Sequence, residues 1–215
     1  MAPPIPTGIL RLIHIDNLAV LIKRGGMHSP NATPKDGLNY KPIHNLSVQA
    51  SRTRHPIMCG RGGTVHDYVP FYFGYLSPML LQLKTGQVEG YHEGQDPLIY
   101  LCSTAQAVQN ADLDYVFSDG HGIASYTTYF DDLQQLSAVD WSVVYERYWK
   151  DTDDDGDKQR RKQAEFLVYN FFPWTLIDKI AVIDEVTQEQ VLNILAAFKN
   201  IYCPPVVIER GWYYY

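Results

Sequence analysis

The stretch RRKQAEFLVYNFFPW, residues 160 to 174, sets one carboxylate, Glu165, between a basic cluster and a run of apolar and aromatic side chains. Burying a lone carboxylate is costly, so such a Glu is either exposed at the start of a strand or buried with a partner. The neighbouring Lys158, Arg160, Arg161 and Lys162 favour its ionised form. Arg52, Arg54, His55 and Arg61 make a second cationic segment, and solvated loop charge is its ordinary reading. Spacing alone links neither Arg52 nor Arg54 to Glu165. His66 and Asp67 suggest a dyad or a metal pair, but on a strand adjacent residues point to opposite faces, which makes them poor joint ligands. His121, in SDGHG, sits at a turn, where a polar residue needs no role, although loops after strands also carry function. No G-x-G-x-x-G, Walker-type or H-E-x-x-H pattern occurs, so the commonest nucleotide and zinc motifs are absent.

The elements that must position these residues read as interleaved strands and helices. GILRLI predicts a strand, followed by a short helix with Leu18, Leu21 and Ile22 on one face and Gly25 and Gly26 as its stop. Residues 29 to 64 carry Pro, Gly, Asn and Ser with weak periodicity, and a loop that long is usually functional or disordered. VPFYFGY, LIYLC and DYVFSDGHG predict strands, the last ending in a turn. TTYFDDLQQL and WSVVYERYW have helical spacing, which the acidic DTDDDGD interrupts. FLVY and KIAVID predict strands, TQEQVLNILAAFK a helix capped by Thr187 with Gln190 in the capping-box position, and VVIER a last strand. The absence of a regular βαβ alternation predicts an α+β fold with a mixed or largely antiparallel sheet.

At 215 residues, 46% of them hydrophobic, the chain can fill a core as one large domain or two small ones. No apolar run approaches the roughly 20 residues that span a bilayer, and MAPPIPTG lacks a basic segment followed by an apolar one, so the expectation is a soluble, unexported protein. Cys59, Cys102 and Cys203 are too scattered for a disulfide framework and form no C-x-x-C pair, consistent with reduced thiols in a cytoplasm. The net charge of −6 gives no bulk reason to expect nucleic-acid binding, so any such site is a local patch.

HIDNL, VHDYVPFYF followed by SPML, VFSDGHG, KQAEFLVY with FPW after it, and the terminal GWYYY stand in the order and approximate spacing of one family. In these motifs the chain resembles the DarT-type DNA ADP-ribosyltransferase toxins from end to end. The resemblance implies one domain over 1–215 with an ADP-ribosyltransferase fold, a split mixed or antiparallel sheet with flanking helices that grips NAD. It implies transfer of ADP-ribose to a base of single-stranded DNA, commonly thymine, in a preferred sequence context. It also implies a macrodomain antitoxin of the DarG type as partner and a cytoplasmic site of action. NAD is the expected co-substrate, with no metal and no membrane, and the net charge is compatible with a monomer.

Residue by residue, the resemblance implies that Glu165 is the catalytic glutamate, orienting the nicotinamide ribose and stabilising the charge that develops as its glycosidic bond breaks. Arg52 matches the essential arginine of a mobile element, residues 29–64, that closes over NAD. Arg54 is the less favoured claimant to that role. NAD contacts are expected from Arg11, Leu12, Ile13, Val20, His28, Arg52 and Tyr72, with Phe71 an alternative to Tyr72 for stacking. Residues 121–165 are expected to form the substrate loop, and Arg54, His121, Tyr148 and Arg160 to contact DNA. Tyr126, Tyr129, Tyr145, Tyr148 and Trp149 are available to stack on bases, with the majority expected to pack the loop itself. The chain departs from the family on its first strand, where Arg11 and Ile13 replace the usual His and Thr. That departure leaves open a degenerate, non-transferring binder; a separate reading, an enzyme that only hydrolyses NAD or takes guanine, RNA or protein as acceptor, keeps the same pocket.

Overall fold

The structure is a computed structural model and describes residues 1–215. Its strands are β1 (Gly8–His14), β2 (Gly26–His28), β3 (Tyr68–Tyr72), β4 (Leu98–Thr104), β5 (Tyr115–Ser118), β6 (Tyr129–Phe130), β7 (Glu165–Tyr169), β8 (Phe171–Pro173), β9 (Lys179–Val182) and β10 (Val206–Ile208). Its helices are α1 (Leu18–Lys23), α2 (Leu46–Arg52), α3 (Pro78–Lys84), α4 (Ala105–Asn110), α5 (Trp141–Val144), α6 (Lys158–Lys162) and α7 (Glu185–Ala196). No helix is long and apolar enough to cross a membrane.

An eight-stranded sheet runs in the order β10-β9-β4-β1-β3-β7-β5-β6, and β2 pairs with β8 in a separate ribbon. All neighbours are antiparallel except β10 and β9. Strand β4 is buried at almost every position, as befits a central strand covered on both faces. β1 pairs with β4 along its whole length, from Gly8↔Thr104 to His14↔Leu98, but meets β3 at the single pair Leu10↔Tyr72. The sheet therefore forks between β1 and β3. This is the expected split, mixed α+β sheet.

The motif HIDNL has a mechanical role. Buried Asn17 accepts a hydrogen bond from the Lys41 N–H at 2.7 Å and donates to the Lys41 carbonyl at 2.8 Å, fixing the 29–64 segment from below. Arg24, just after α1, adds a bidentate pair to Asp36, both bonds 2.7 Å. The segment expected to be irregular also contains α2, whose Asn45 cap accepts the Ser47 N–H. Its apolar periodicity is weak because one side of the helix faces a cavity rather than the core.

Three predicted elements differ. Within TTYFDDLQQL, Tyr129 and Phe130 pair with β5, because that strand's open edge and the Phe117–Phe130 ring stack at 5.2 Å outweigh helical spacing. A 3-10 turn over Leu133–Ala138 follows. Only Trp141–Val144 of WSVVYERYW is helical; Tyr145 caps it and stacks back on Trp141, while Trp149 turns away to bond the Tyr214 hydroxyl. The cap of α7 is Asp184, which accepts the Thr187 N–H at 2.8 Å, while the Thr187 hydroxyl is turned to the Asp96 carbonyl.

Candidate active site in the sheet fork

Glu165 is the first residue of β7 and lies opposite Tyr72, which in turn faces Leu10 at the one β1–β3 pair. The register thus carries its carboxylate to the fork, where it is 2% exposed. Arg52 ends α2 and reaches it with both terminal nitrogens, Nη1 to Oε1 at 3.0 Å and Nη2 to Oε2 at 2.8 Å. The Gly122 N–H donates to Oε1 at 3.2 Å. Behind them Ser118 Oγ accepts the Glu165 N–H at 3.1 Å and donates to the Gly120 carbonyl at 2.7 Å, which folds the SDGHG turn around the carboxylate.

Burial alone would raise the Glu165 pKa, but the Arg52 charge and its hydrogen bonds, with the Gly122 N–H, hold it below the ordinary carboxylate value. Burial likewise opposes the charged form of Arg52, and Glu165 outweighs it, so the arginine is raised. A planar fork paired with a carboxylate in this way is geometrically specific as well as strong. Both groups are therefore held ionised with water largely excluded.

A cavity of about 430 Å³ opens from this pair along the fork, within the range of small-molecule sites. Arg11, Leu12, His28, Tyr72 and His121 line it together with Arg52 and Glu165. Ile13 is fully buried in the main core, and Val20, half-buried on α1, leaves the wall to Leu21 and Arg24. Arg11 bridges the fork, donating from Nη1 to the Pro70 carbonyl at 2.9 Å, and its buried Nε has no partner. Phe71 also borders the cavity but is buried in the core against Phe172, and Tyr72, paired with Glu165 across β3 and β7, is the aromatic that joins the cavity to the carboxylate.

The cavity also gathers residues that sequence reasoning did not assign to it, Arg24, His44 and His66. The signals were KRGG after the first helix, where the cation follows the helix end, and VHDY. His66 lies on a 3-10 turn, not a strand. It contacts Gln49 Oε1 through Nε2 at 3.0 Å, while Asp67 closes a capping box with Thr64. The two residues part company as expected. His28, His44, His66 and His121 all have lowered pKa values, burial first in each case, with arginine charge adding to it. Neutral imidazoles therefore surround the cavity at neutral pH, and its positive charge resides in Arg11, Arg24 and Arg52.

The basic cluster of the 158–162 segment is directed inward. Arg160 is bidentate to Asp157 at 2.7 and 2.8 Å, reaches Asp119 at 2.9 Å, and covers the Tyr126 ring at 4.9 Å. Arg161 binds Asp140 and Asp155, Lys158 binds Glu146 at 2.6 Å, and buried Lys162 donates to the Val144 and Glu146 carbonyls. Asp155 and Asp157 of the acidic DTDDDGD stretch, with Asp119, Asp140 and Glu146, are thus the counter-charge of the basic one. Arg54 is exposed and unpaired. Tyr148 is exposed beside Trp149, whose indole N–H is bonded to the Tyr214 hydroxyl, so it lies where the C-terminal turn docks. Of the five loop aromatics, Tyr129, Tyr145 and Trp149 pack inward, and Tyr126 and Tyr148 remain exposed.

Comparison with known proteins agrees with this geometry. The family model described as "ssDNA thymidine ADP-ribosyltransferase, DarT" matches residues 10–214. A DNA ADP-ribosyl transferase of Thermus sp. (strain 2.9) is 41% identical over 211 residues, 98% of each chain. The solved Thermus sp. 2.9 DarT in complex with ADP-ribosylated ssDNA has a TM-score of 0.93 at 40% identity, covering 100% of this chain and 99% of that one. The same protein in complex with NAD+ has a TM-score of 0.88 at 39% identity, covering 99% and 100%. A forked sheet, a buried Arg–Glu pair at its opening and a match over almost every residue lead to one conclusion: the chain belongs to the DarT family of ssDNA thymidine ADP-ribosyltransferases.

Proposed function

We propose that this protein transfers ADP-ribose from NAD to a thymine base of single-stranded DNA, with Glu165 and Arg52 as its catalytic residues. The bond from the nicotinamide ribose to nicotinamide breaks, a bond from that ribose to a ring nitrogen of the base forms, and the nitrogen's proton is released with nicotinamide. The observation that carries this reading is the buried, bidentate Arg52–Glu165 pair opening onto the cavity of the fork.

The residues present fit NAD. Arg11 offers a pyrophosphate positive charge with no carboxylate partner, Arg24 a guanidinium held in place by Asp36, and the unpartnered Arg11 Nε is a donor still to be used. Glu165, fixed and desolvated before the reaction, stabilises positive charge developing on the ribose at no reorganisation cost. Arg52 holds that carboxylate ionised and lies in the segment that covers the cavity, so closure of 29–64 can re-aim its guanidinium. His121, neutral and next to the Glu165 site, can both donate to and accept from a base edge. Tyr72 offers a ring for stacking. A single strand lowers the cost of unstacking the acceptor. The proposed reaction takes place on cellular DNA in the cytoplasm, with a DarG-type macrodomain antitoxin as the partner that reverses it.

Short single-stranded oligonucleotides of varied sequence, incubated with protein and NAD and weighed intact, test this. The expected result is one ADP-ribose increment on some thymine-containing sequences, lost in Glu165→Ala and Arg52→Ala. No increment on any DNA, with NAD left intact, overturns the transferase reading. An increment on guanine-only sequences, RNA or protein instead reassigns the acceptor.

A further inference from the structure

From Thr53 to Thr64 the chain carries two arginines and a histidine but no carboxylate, within a protein of net charge −6. The segment leaves the site directly, since Arg52 precedes it. It folds back as a tight hairpin, with the Pro56↔Thr64 bridge, the Ile57 N–H on the Gly63 carbonyl at 2.9 Å and the Val65 N–H on the His55 carbonyl at 3.1 Å. Gly60, Gly62 and Gly63 take φ of 55, 68 and 84°, conformations that favour glycine, so the turn is built into the sequence. A Cβ on Gly60 would lie 2.8 Å from Val116, and its N–H donates to Asp131 at 2.9 Å.

The hairpin is anchored as well as shaped. Ile57 is buried with Val65, Tyr68, Val116 and Leu167, and the Tyr68 hydroxyl donates to the Gly62 carbonyl at 2.9 Å. Met58, the next residue, points the other way and is 89% exposed. A single exposed methionine is unremarkable on a mobile loop. Here it stands on a fixed scaffold between Arg54 and Arg61. Arg61 is held over the Tyr169 ring at 5.5 Å and beside Asp114 at 3.3 Å, at the end of β7 opposite to Glu165.

The same hairpin is continuous with the reaction centre. The His55 ring is 6.2 Å from that of Tyr129, the Tyr129 hydroxyl donates to the Gly122 carbonyl at 2.5 Å, and the Gly122 N–H is bonded to Glu165. Three residues before Tyr129 stands exposed Tyr126, braced by Arg160. We infer that the 53–64 hairpin holds a nucleotide flanking the acceptor, with Met58 packed on the face of its base and Arg54 on its phosphate. Soft, polarisable sulfur packs on an aromatic face without reading its edges, and an unpaired arginine takes phosphate irrespective of sequence. The hairpin would therefore grip the strand beside the target while the fork reads the target itself. This inference rests on the proposed DNA substrate.

Its test separates binding from reaction. Affinity for a fluorescein-labelled single-stranded oligonucleotide is measured by anisotropy without NAD, and transfer to the same oligonucleotide is measured with NAD. Met58→Ala is expected to weaken binding and raise the oligonucleotide KM by about two- to tenfold. The maximal rate, NAD affinity and thermal midpoint stay as in the wild type, and Met58→Leu largely restores affinity. An abasic residue at one flanking position should abolish the difference between wild type and Met58→Ala. Equal affinities for wild type and Met58→Ala on every oligonucleotide, or no binding by either, overturn the inference. Met58-dependent binding with no transfer by the wild type would leave the hairpin assignment standing and sink the transferase reading.

Discussion

Arg52 and Glu165 are separated by 113 residues in sequence and joined by two hydrogen bonds in space. Nothing in either local sequence predicts the partner, because the pairing is made by the β3–β7 register and by the end of α2. Only family motifs connected them. With both groups buried, removal of one leaves the other as an uncompensated charge, so Glu165→Ala and Arg52→Ala should each lose about 3–5 kcal/mol of stability. The double variant Arg52→Met/Glu165→Leu, which removes both charges, should lose much less while remaining inactive. Denaturant unfolding of the three variants and the wild type checks this, and additive losses would mean that the pair is not energetically coupled. The folded pKa of Glu165 is depressed, so its contribution is present above the unfolded value of about 4.3 and is lost as pH falls through the folded value. Acid unfolding should therefore be steeper below about pH 4 in the wild type than in the double variant.

At the scale of elements, the 121–165 segment is fastened to the sheet at a few close points. A Cβ on Gly74 would lie 2.4 Å from the Val144 carbonyl oxygen, a backbone atom that cannot turn aside. Gly74→Ala should push α5 away from the end of β3 and cost about 1–3 kcal/mol, read by thermal or denaturant melting. Lys162 supports the same junction from within, and burial lowers its pKa to about 8 despite the nearby Glu146. Between that value and the unfolded value of about 10.4 the unfolded chain binds the proton more tightly, so stability rises with pH across this window. In Lys162→Met the rise from about pH 8 to 10 should be absent, although the variant is less stable throughout, with two carbonyls left unpaired. The central strands were legible because continuous burial demands apolar runs. The short α6 and the β6 pairing were not, since the first is held by ion pairs to Asp119 and Asp140, far along the chain, and the second by an open sheet edge. The same physics hid the destination of the basic cluster. Charge reads identically in sequence whether it faces phosphate or the Asp residues of DTDDDGD.

For the whole molecule, an acidic protein that binds a polyanion must do so through few cations. The conspicuous cluster at 158–162 is already neutralised internally, and Arg24 and Arg52 are paired with Asp36 and Glu165. Exposed Arg54 remains for the strand, as does exposed Arg61, whose pair with Asp114 is itself open to solvent, with Tyr126 and Met58 supplying contacts that salt does not screen. Each phosphate contact on a single strand contributes roughly −0.7 to the slope of log affinity against log salt, so two or three contacts predict a slope of about −1.4 to −2.1. Engagement of the 158–162 cations as well would steepen it beyond about −3. Anisotropy titrations across a salt series measure the slope directly, and Arg54→Ala should make it shallower by roughly 0.7. A slope steeper than about −3 would mean that Arg160 and Arg161 exchange their aspartates for phosphates when DNA binds, and the acidic stretch would then be a displaceable mimic of the substrate backbone rather than a fixed part of the loop.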